Sequence, residues 1–239
     1  MSLSRPQYID YIRTSSLFEG IDPDALSEIL GAARPHRIKK GAYFFYQDQP
    51  ARNLYMLVEG RVKFTQVTAN GQQVLLRAVG PGEIFGTVAA LSDALHPASA
   101  QAATDCVTLA WRGEDIGGLM DRFPRIALNV ARFLAERLKE FQDRYRELAT
   151  ERVERRVAHT LLRLAEKLGE PEEGGTSVGL SLTRQDIAEM SGTTLFTVSR
   201  ILSAWQHQGI VRTGRERVVI CNSEELVAIA HDRPDSFHC

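Results

Sequence analysis

The stretch at residues 182–211 constrains the fold of this chain most, because its apolar positions and turn residues describe two short helices that meet at a tight bend. Thr183 followed three residues later by Asp186 is typical of a helix start, where a hydroxyl caps the first turn and an acid follows. Gly192 interrupts the helical pattern, since glycine adopts a positive φ at little cost, and Gly209 ends the second helix. The pattern predicts a helix-turn-helix.

The second helix of this pair has an apolar face and a polar face. Thr193 or Thr194 caps it, and its predicted buried stripe consists of Val198, Ile201, Leu202 and Trp205. The opposite face carries short polar groups, one ring and one guanidinium, namely Phe196, Thr197, Ser199 and Arg200. A recognition helix presents such groups to the major groove, where arginine makes a bidentate contact to guanine O6 and N7.

Basic residues follow this helix in an alternating hairpin pattern. Residues 210–212 and 215–220 are predicted strands, joined by a turn at Thr213 and Gly214. We interpret the hairpin as a wing. Its arginines, Arg212, Arg215 and Arg217, are expected to contact DNA phosphates and to add affinity that falls with salt.

Composition excludes several classes of protein. The 239 residues carry a net charge of −1, so DNA binding has to rely on a local basic face. The chain contains no apolar run of about eighteen residues and no secretion signal, so we expect a cytoplasmic protein with no membrane partner. Cys106, Cys221 and Cys239 lack C-x-x-C spacing, which argues against a zinc site or a cysteine-ligated iron–sulfur cluster.

Short β-type segments dominate the region before the helix-turn-helix half. Residues 15–33 are predicted to form short helices, with Pro23 near a helix start. Segments rich in β-branched and aromatic residues then alternate with turn signals about ten residues apart, as in an antiparallel sandwich or roll. The predicted strands lie at 42–45, 53–58, 62–67, 73–79, 98–103 and 106–111.

Helical periodicity returns near Met120, and Pro124 suits the first turn of a long helix. Its apolar residues recur at mostly three- and four-residue spacing, and they are Val130, Leu134, Leu138, Phe141, Tyr145 and Leu148. Because charged residues flank this long seam, we interpret it as the interface of a parallel coiled-coil dimer. Packing of the helix on the roll is the alternative. Thr150 and Glu151 form a predicted hinge.

With these parts in this order, the chain resembles the Crp/Fnr family of bacterial transcription regulators across nearly its full length. Residues 54–62 are similar to the family's sheet signature, residues 82–86 to its glycine-bearing turn, and residues 183–188 and 198–202 to its DNA-reading helices. The resemblance implies an α+β protein. It would have an effector-sensing, cyclic-nucleotide-binding-like β-roll (a double-stranded β-helix) at 1–120, a dimerisation helix and hinge at 121–150, and a winged helix-turn-helix at 151–239. Many members read palindromic promoter DNA as homodimers, and RNA polymerase is the expected further partner.

By this similarity Arg200 corresponds to the arginine that contacts guanine, and Ser199 to a neighbour that joins in base contact in the Fnr branch. The predicted DNA-binding residues are Thr183, Arg184, Thr194, Phe196, Thr197, Ser199, Arg200, Arg212, Arg215 and Arg217. Phe196 stands where the family usually has a glutamate, and it cannot accept a hydrogen bond from cytosine but only contact a thymine methyl. We therefore expect a retained guanine with an altered base preference beside it.

The resemblance also implies an effector pocket, formed by Phe85, Gly86, Thr87, His96, Ala98, Ser99, Phe141 and Gln142. In cyclic-nucleotide-binding members a glutamate holds the ribose hydroxyl and an arginine clamps the cyclic phosphate. Thr87 is too short for the first role, and a mostly neutral His96 lacks the fixed fork that suits phosphate. We expect no tight binding of cyclic AMP.

The identity of the effector stays open at this point. A haem that senses nitric oxide or carbon monoxide is one alternative, with His96 or His36 as axial ligand, and an unknown metabolite or no effector is another. From another functional class, a cupin-type metal enzyme would need clustered histidines or a nucleophile with a matched base, which the roll lacks, so we expect neither a metal site nor catalytic residues. An interaction module whose helix-turn-helix binds protein is the third hypothesis.

Overall fold

The computed structural model describes residues 5–71, 73–86, 92 and 94–231, with side chains from Tyr8 onward. It divides the chain into two compact units, Met1–Gly71 with Ala78–Phe141 and Gln72–Arg77 with Gln142–Cys239. Among the described residues we find no helix whose length and apolarity would allow it to cross a membrane.

The first part of the chain combines antiparallel strands with flanking helices. Helices α1 (Arg5–Thr14) and α2 (Pro23–Ala32) precede strands β1 (Arg34–Ile38), β2 (Tyr43–Phe45), β3 (Asn53–Glu59), β4 (Val62–Val67), β5 (Gln73–Val79), β6 (Ile84–Phe85), β7 (Ser99–Ala102) and β8 (Cys106–Arg112). Helices α3 (Gly113–Arg122) and α4 (Pro124–Thr150) follow. The strands form two sheets, in the orders β1-β8-β3-β6 and β2-β7-β4-β5, and together they make the predicted β-roll.

Strand β3 is buried on both faces, which explains its unbroken apolar run. Successive side chains of a strand point to opposite faces. Leu54, Met56 and Val58 therefore pack in one core with the N-terminal helices, α3 and α4, whereas Tyr55 and Leu57 pack in the roll interior. This strand thus contributes side chains to both of these hydrophobic clusters.

Two buried polar side chains fasten the N-terminal segment to the rest of the first unit. The Trp111 indole Nε1–H on β8 donates to the carbonyl oxygen of Ile29 on α2, 2.8 Å away. The Asn129 amide on α4 donates to the carbonyl oxygens of Leu17 and Glu19, both at 2.9 Å. The Asn129 bonds satisfy carbonyl groups of the stretch between α1 and α2, and the Trp111 bond satisfies a carbonyl group in the last turn of α2, which has no partner within the helix.

The second unit contains the winged helix-turn-helix. Its elements are α5 (Val153–Leu168), β9 (Glu170–Glu172), β10 (Gly175–Ser177), α6 (Arg184–Met190), α7 (Leu195–His207), β11 (Val211–Gly214), β12 (Arg217–Ile220) and α8 (Ser223–His231). The four strands form one antiparallel sheet in the order β11-β12-β10-β9.

The predicted fold class is confirmed. Helix α4 ends at Thr150 and α5 begins at Val153, so the chain leaves the helical conformation at the predicted hinge. One local prediction was wrong. The wing does not turn at Thr213 and Gly214, which belong to β11; Gly214 pairs with Arg217, and the turn uses Glu216 at a φ of 55°. The segment at 170–175 contributes to the hairpin of β9 and β10, two strands that were not among the predicted ones.

Gly60, between β3 and β4, is a position where only glycine fits. Its φ is +97°, and a Cβ built there would clash with the carbonyl oxygen of Asp105 and lie 2.7 Å from the Cys106 sulfur. We expect Gly60→Ala to lower the free energy of unfolding by at least twice as much as Gly41→Ala. Gly41 also has a positive φ, +86°, but open space around it, so that its substitution costs only the backbone strain of about 1–2 kcal/mol. Urea denaturation followed by circular dichroism measures both, and equal losses would contradict the steric argument.

Candidate nucleic-acid interface and effector site

The start of α6 is fixed by a complete capping box. The backbone N–H of Asp186 donates to Thr183 Oγ1 at 3.0 Å, and the Asp186 carboxylate accepts the backbone N–H of Thr183 at 2.7 Å. Thr194 caps α7 in turn, since its hydroxyl accepts the N–H of Thr197. Both predicted caps are present, so the threonine hydroxyls at 183 and 194 are engaged in helix capping.

The turn between α6 and α7 is held by Arg156 of α5, which was not among the predicted site residues. Its guanidinium donates to three backbone carbonyl oxygens, those of Ser191 at 2.9 Å, Gly192 at 3.0 Å and Glu151 at 2.8 Å. One charged side chain thereby links the hinge to the helix-turn-helix bend. Nothing in the spacing of the arginine-rich segment around Arg156 distinguishes this residue from its neighbours.

Helix α7 presents the predicted recognition face. Val198, Ile201, Leu202 and Trp205 are buried as predicted, whereas Phe196 and Arg200 are exposed on the other side. These two residues are four apart and Ser199 is three from Phe196, so the three side chains neighbour one another on the helix surface. Within the part of the chain that the structure describes, the Arg200 guanidinium forms no hydrogen bond or ion pair. It is therefore available to a ligand.

The wing arginines differ in their surroundings. Arg212 Nη2 lies 2.8 Å from a Glu172 carboxylate oxygen and donates to the carbonyl oxygen of Glu173 at 2.9 Å, and Arg217 pairs with the same Glu172 carboxylate. Partial removal from water raises the pKa of Glu172, but the hydrogen bonds from Arg217 and Arg212 outweigh it and hold the pKa below its ordinary value. Arg215 is exposed, as is Arg184 at the start of α6. Glu172 is thus a second residue that the sequence patterns did not reveal.

Aromatic rings fill the interior of the roll where the effector pocket was predicted. Phe85 is fully buried and stacks on Tyr55, with ring centroids 5.1 Å apart. Ala98 and Ser99 are also buried, and the Ser99 hydroxyl accepts the backbone N–H of Gln47. Gly86 is described next to Phe85, whereas Thr87 lies outside the described residues. Phe141 and Gln142 are both exposed on α4.

His96 is buried within this aromatic interior. Its ring stacks on Phe45 with centroids 3.5 Å apart and an interplanar angle of 5°, and only 4% of its surface is exposed. Burial lowers the pKa of the imidazole, so that the neutral form is favoured at neutral pH. His36, the other predicted haem ligand, lies exposed on β1. The described residues hold no group of three or more metal-ligating side chains.

Helix α4 carries the predicted dimer seam, with one change. Val130 is buried in the core of the first unit, so the exposed stripe begins beyond it. The five other predicted residues are exposed by between 37% and 68%, and they are Leu134, Leu138, Phe141, Tyr145 and Leu148. Exposed apolar stripes of this kind are typical of interaction surfaces.

This fold and these side chains define a class of protein, a winged helix-turn-helix regulator preceded by a β-roll. Comparison with known proteins agrees. Residues 35–123 match the cyclic nucleotide-binding domain, and residues 155–229 match the Crp-like helix-turn-helix domain.

The cyclic AMP receptor protein of Thermus thermophilus is 32% identical over 92% of this chain and 98% of that protein. A CRP-like cAMP-activated global transcriptional regulator of Mycobacterium tuberculosis is 27% identical over 91% of this chain and 97% of its own length. Among solved structures, FixK2 from Bradyrhizobium japonicum has a TM-score of 0.70 and 25% identity, covering 82% of this chain and 96% of that one. The chain belongs to the Crp/Fnr family of transcriptional regulators.

Removal of the Arg156 side chain tests how the recognition face is held. Hydrogen bonds from a charged donor contribute about 1.5–3 kcal/mol each and are not additive. We therefore expect Arg156→Ala to lower the free energy of unfolding by about 3 kcal/mol, measured by urea denaturation. Arg152→Ala, four residues earlier and exposed, should change it by less than about 0.5 kcal/mol. Equal effects of the two substitutions would show that the three carbonyl contacts contribute little.

Proposed function

We propose that the chain is a homodimeric transcription regulator that binds a palindromic promoter site through α7 of each protomer. The observation that carries this proposal is the exposed face of α7, where an unengaged Arg200 lies beside Ser199 and Phe196 and opposite a buried apolar stripe. Arginine in this position suits bidentate recognition of guanine in the major groove. RNA polymerase is the proposed protein partner, and the chain is not proposed to be an enzyme.

The apolar stripe of α4 supports a dimer. In an isolated helix exposed leucine and aromatic side chains are unfavourable, and pairing with a second copy removes them from water. The charged residues of α4 that lie between these apolar side chains are typical of the positions that border a coiled-coil interface. The roll at 1–120, the helix and hinge at 121–150 and the DNA-binding domain at 151–239 are the proposed functional divisions of the chain.

The proposed effector is not cyclic AMP, although the two regulators described above from Thermus thermophilus and Mycobacterium tuberculosis are named for that nucleotide. Position 96 holds a buried, stacked imidazole whose lowered pKa keeps it neutral, so it supplies no cation for a cyclic phosphate. A ligand of the roll changes the affinity for DNA only to the extent that it binds the DNA-binding conformation of the protein more tightly than the other conformation. A haem-based nitric oxide or carbon monoxide sensor is the alternative that an absorption spectrum decides.

DNA binding is tested by fluorescence anisotropy on a selected palindromic duplex, with the protein purified anaerobically. We expect tight, salt-sensitive binding that is unchanged by millimolar cyclic AMP. Replacing the half-site guanine by 7-deazaguanine, which lacks the N7 acceptor, should weaken binding about tenfold or more per half-site. The Arg200→Ala variant should bind the guanine duplex as weakly as the wild-type protein binds the 7-deazaguanine duplex. It should also bind the guanine and 7-deazaguanine duplexes with equal affinity.

Three outcomes would contradict parts of this proposal. Absence of DNA binding at low salt would favour the interaction module. Binding that requires cyclic AMP would refute the effector argument, and a Soret band in the same sample would establish haem.

The dimer is tested with Leu138→Glu, which places two like charges in the proposed seam. Removing two leucines from the interface and introducing repulsion should raise the dimer dissociation constant about 100-fold or more. Leu95→Glu, at an equally exposed leucine outside the stripe, is the matched control and should remain dimeric. Sedimentation equilibrium measures both, and a monomeric wild-type chain at micromolar concentration would refute the seam.

A further inference from the structure

An exposed apolar pair stands at the start of the recognition helix. Phe196 has 84% of its surface exposed, the highest value among the large hydrophobic residues that the structure describes, and its neighbour Leu195 has 41% exposed. Both lie in the first turn of α7, directly after the cap at Thr194. With so much of its surface in contact with water, the Phe196 ring contributes little to the packing of the folded chain.

The position of the ring relative to Arg200 restricts what it can contact. Residues four apart on a helix are surface neighbours, so the ring and the guanidinium project from the same face. The N-terminal turns of a recognition helix are the part that reaches the base edges. If Arg200 binds guanine, as the proposed function requires, the ring lies over an adjacent base pair.

The chemistry of the groove floor leaves one suitable contact. A phenyl ring has no hydrogen-bond partner to offer, and pressing it against an amino group or a ring nitrogen would leave that polar group unsatisfied. The C5-methyl group of thymine is the apolar group that the major groove presents. A ring set over that methyl buries both apolar surfaces without cost to any polar atom.

We propose that Phe196, flanked by Leu195, reads the C5-methyl group of the pyrimidine beside the guanine bound by Arg200. This inference rests on the proposed DNA binding and specifies its chemistry. Because the contact is made with a methyl group, the protein should distinguish thymine from uracil, and 5-methylcytosine from cytosine, at that position. Two Phe196 rings of a dimer would read one methyl in each half-site.

The test uses the full-length protein and the selected palindromic duplex, with thymine replaced by uracil beside the guanine in each half-site. Burial of one methyl group is worth about 0.8 kcal/mol, which is about fourfold in affinity, or about fifteenfold when both half-sites are changed. We expect the wild-type protein to show this loss by fluorescence anisotropy. On duplexes that carry cytosine at the same position, 5-methylation should strengthen binding by a similar factor.

Variants assign the effect to the ring. Phe196→Ala should bind the thymine and uracil duplexes equally, while remaining sensitive to 7-deazaguanine. Tyr46→Ala, which removes an exposed ring from the roll, should retain the full thymine preference. Phe196→Glu should shift the selected base towards cytosine, whose amino group a carboxylate accepts.

The outcomes separate this inference from the proposed function. Wild-type protein that senses 7-deazaguanine but binds thymine and uracil equally would overturn methyl reading and leave DNA recognition by Arg200 in place. A uniform loss of affinity in Phe196→Ala, with the thymine preference intact, would overturn it as well. Failure to bind any palindromic duplex would overturn both.

Discussion

The arrangement of the DNA-binding unit depends on the Arg156 guanidinium, which satisfies three carbonyl oxygens at once. Two of these oxygens belong to the bend between α6 and α7, where Gly192 takes a positive φ of +62° and the carbonyl groups have left the helical ladder. The third belongs to Glu151, at the hinge after α4. A planar, permanently charged donor set is suited to this role, whereas a lysine could not reach three diverging acceptors with fixed geometry. The bend and the hinge are consequently tied to the same side chain.

The sequence predicted the elements with strong periodicity or strong caps. The stripe of α7, the capping box at Thr183, the end of α4 at Thr150 and the long strand β3 followed from apolar spacing and local hydrogen-bond chemistry. Helix α3 was missed because it contains Gly117 and Gly118, which carry poor helix propensity.

The remaining features depend on tertiary contacts that no local pattern encodes. Strands β9 and β10 have three residues each, too few to show alternation, and they form through the pairing of β10 with β12 and of β9 with β10. The roles of Arg156 and Glu172 arise from partners that are distant in sequence. Arg156 binds the carbonyl oxygen of Ser191, 35 residues away, and Glu172 binds the guanidinium of Arg212, 40 residues away. Val130 was assigned to the predicted seam because of its spacing from Leu134. A helix face that packs in the core has the same spacing, and Val130 is buried in the core.

The roll and α7 share one feature at positions that the family resemblance assigns to ligand contact. In both places an aromatic or imidazole ring stands where the resemblance implies a charged group. His96 is stacked in a buried interior, whereas Phe196 is exposed to water. Under the proposed function, both rings suit ligands that present apolar or planar surfaces better than ligands that present a formal charge.

The pairing of Glu172 with Arg212 and Arg217 gives the wing an internal counterion. In the proposed complex, a phosphate that approaches these arginines competes with a carboxylate whose single negative charge already offsets one of their two positive charges, so the wing adds less phosphate affinity than two free guanidinium groups would. Random DNA, which offers only phosphates, would then gain little from the wing. The time that the protein spends at a site would be set by the base contacts of α7.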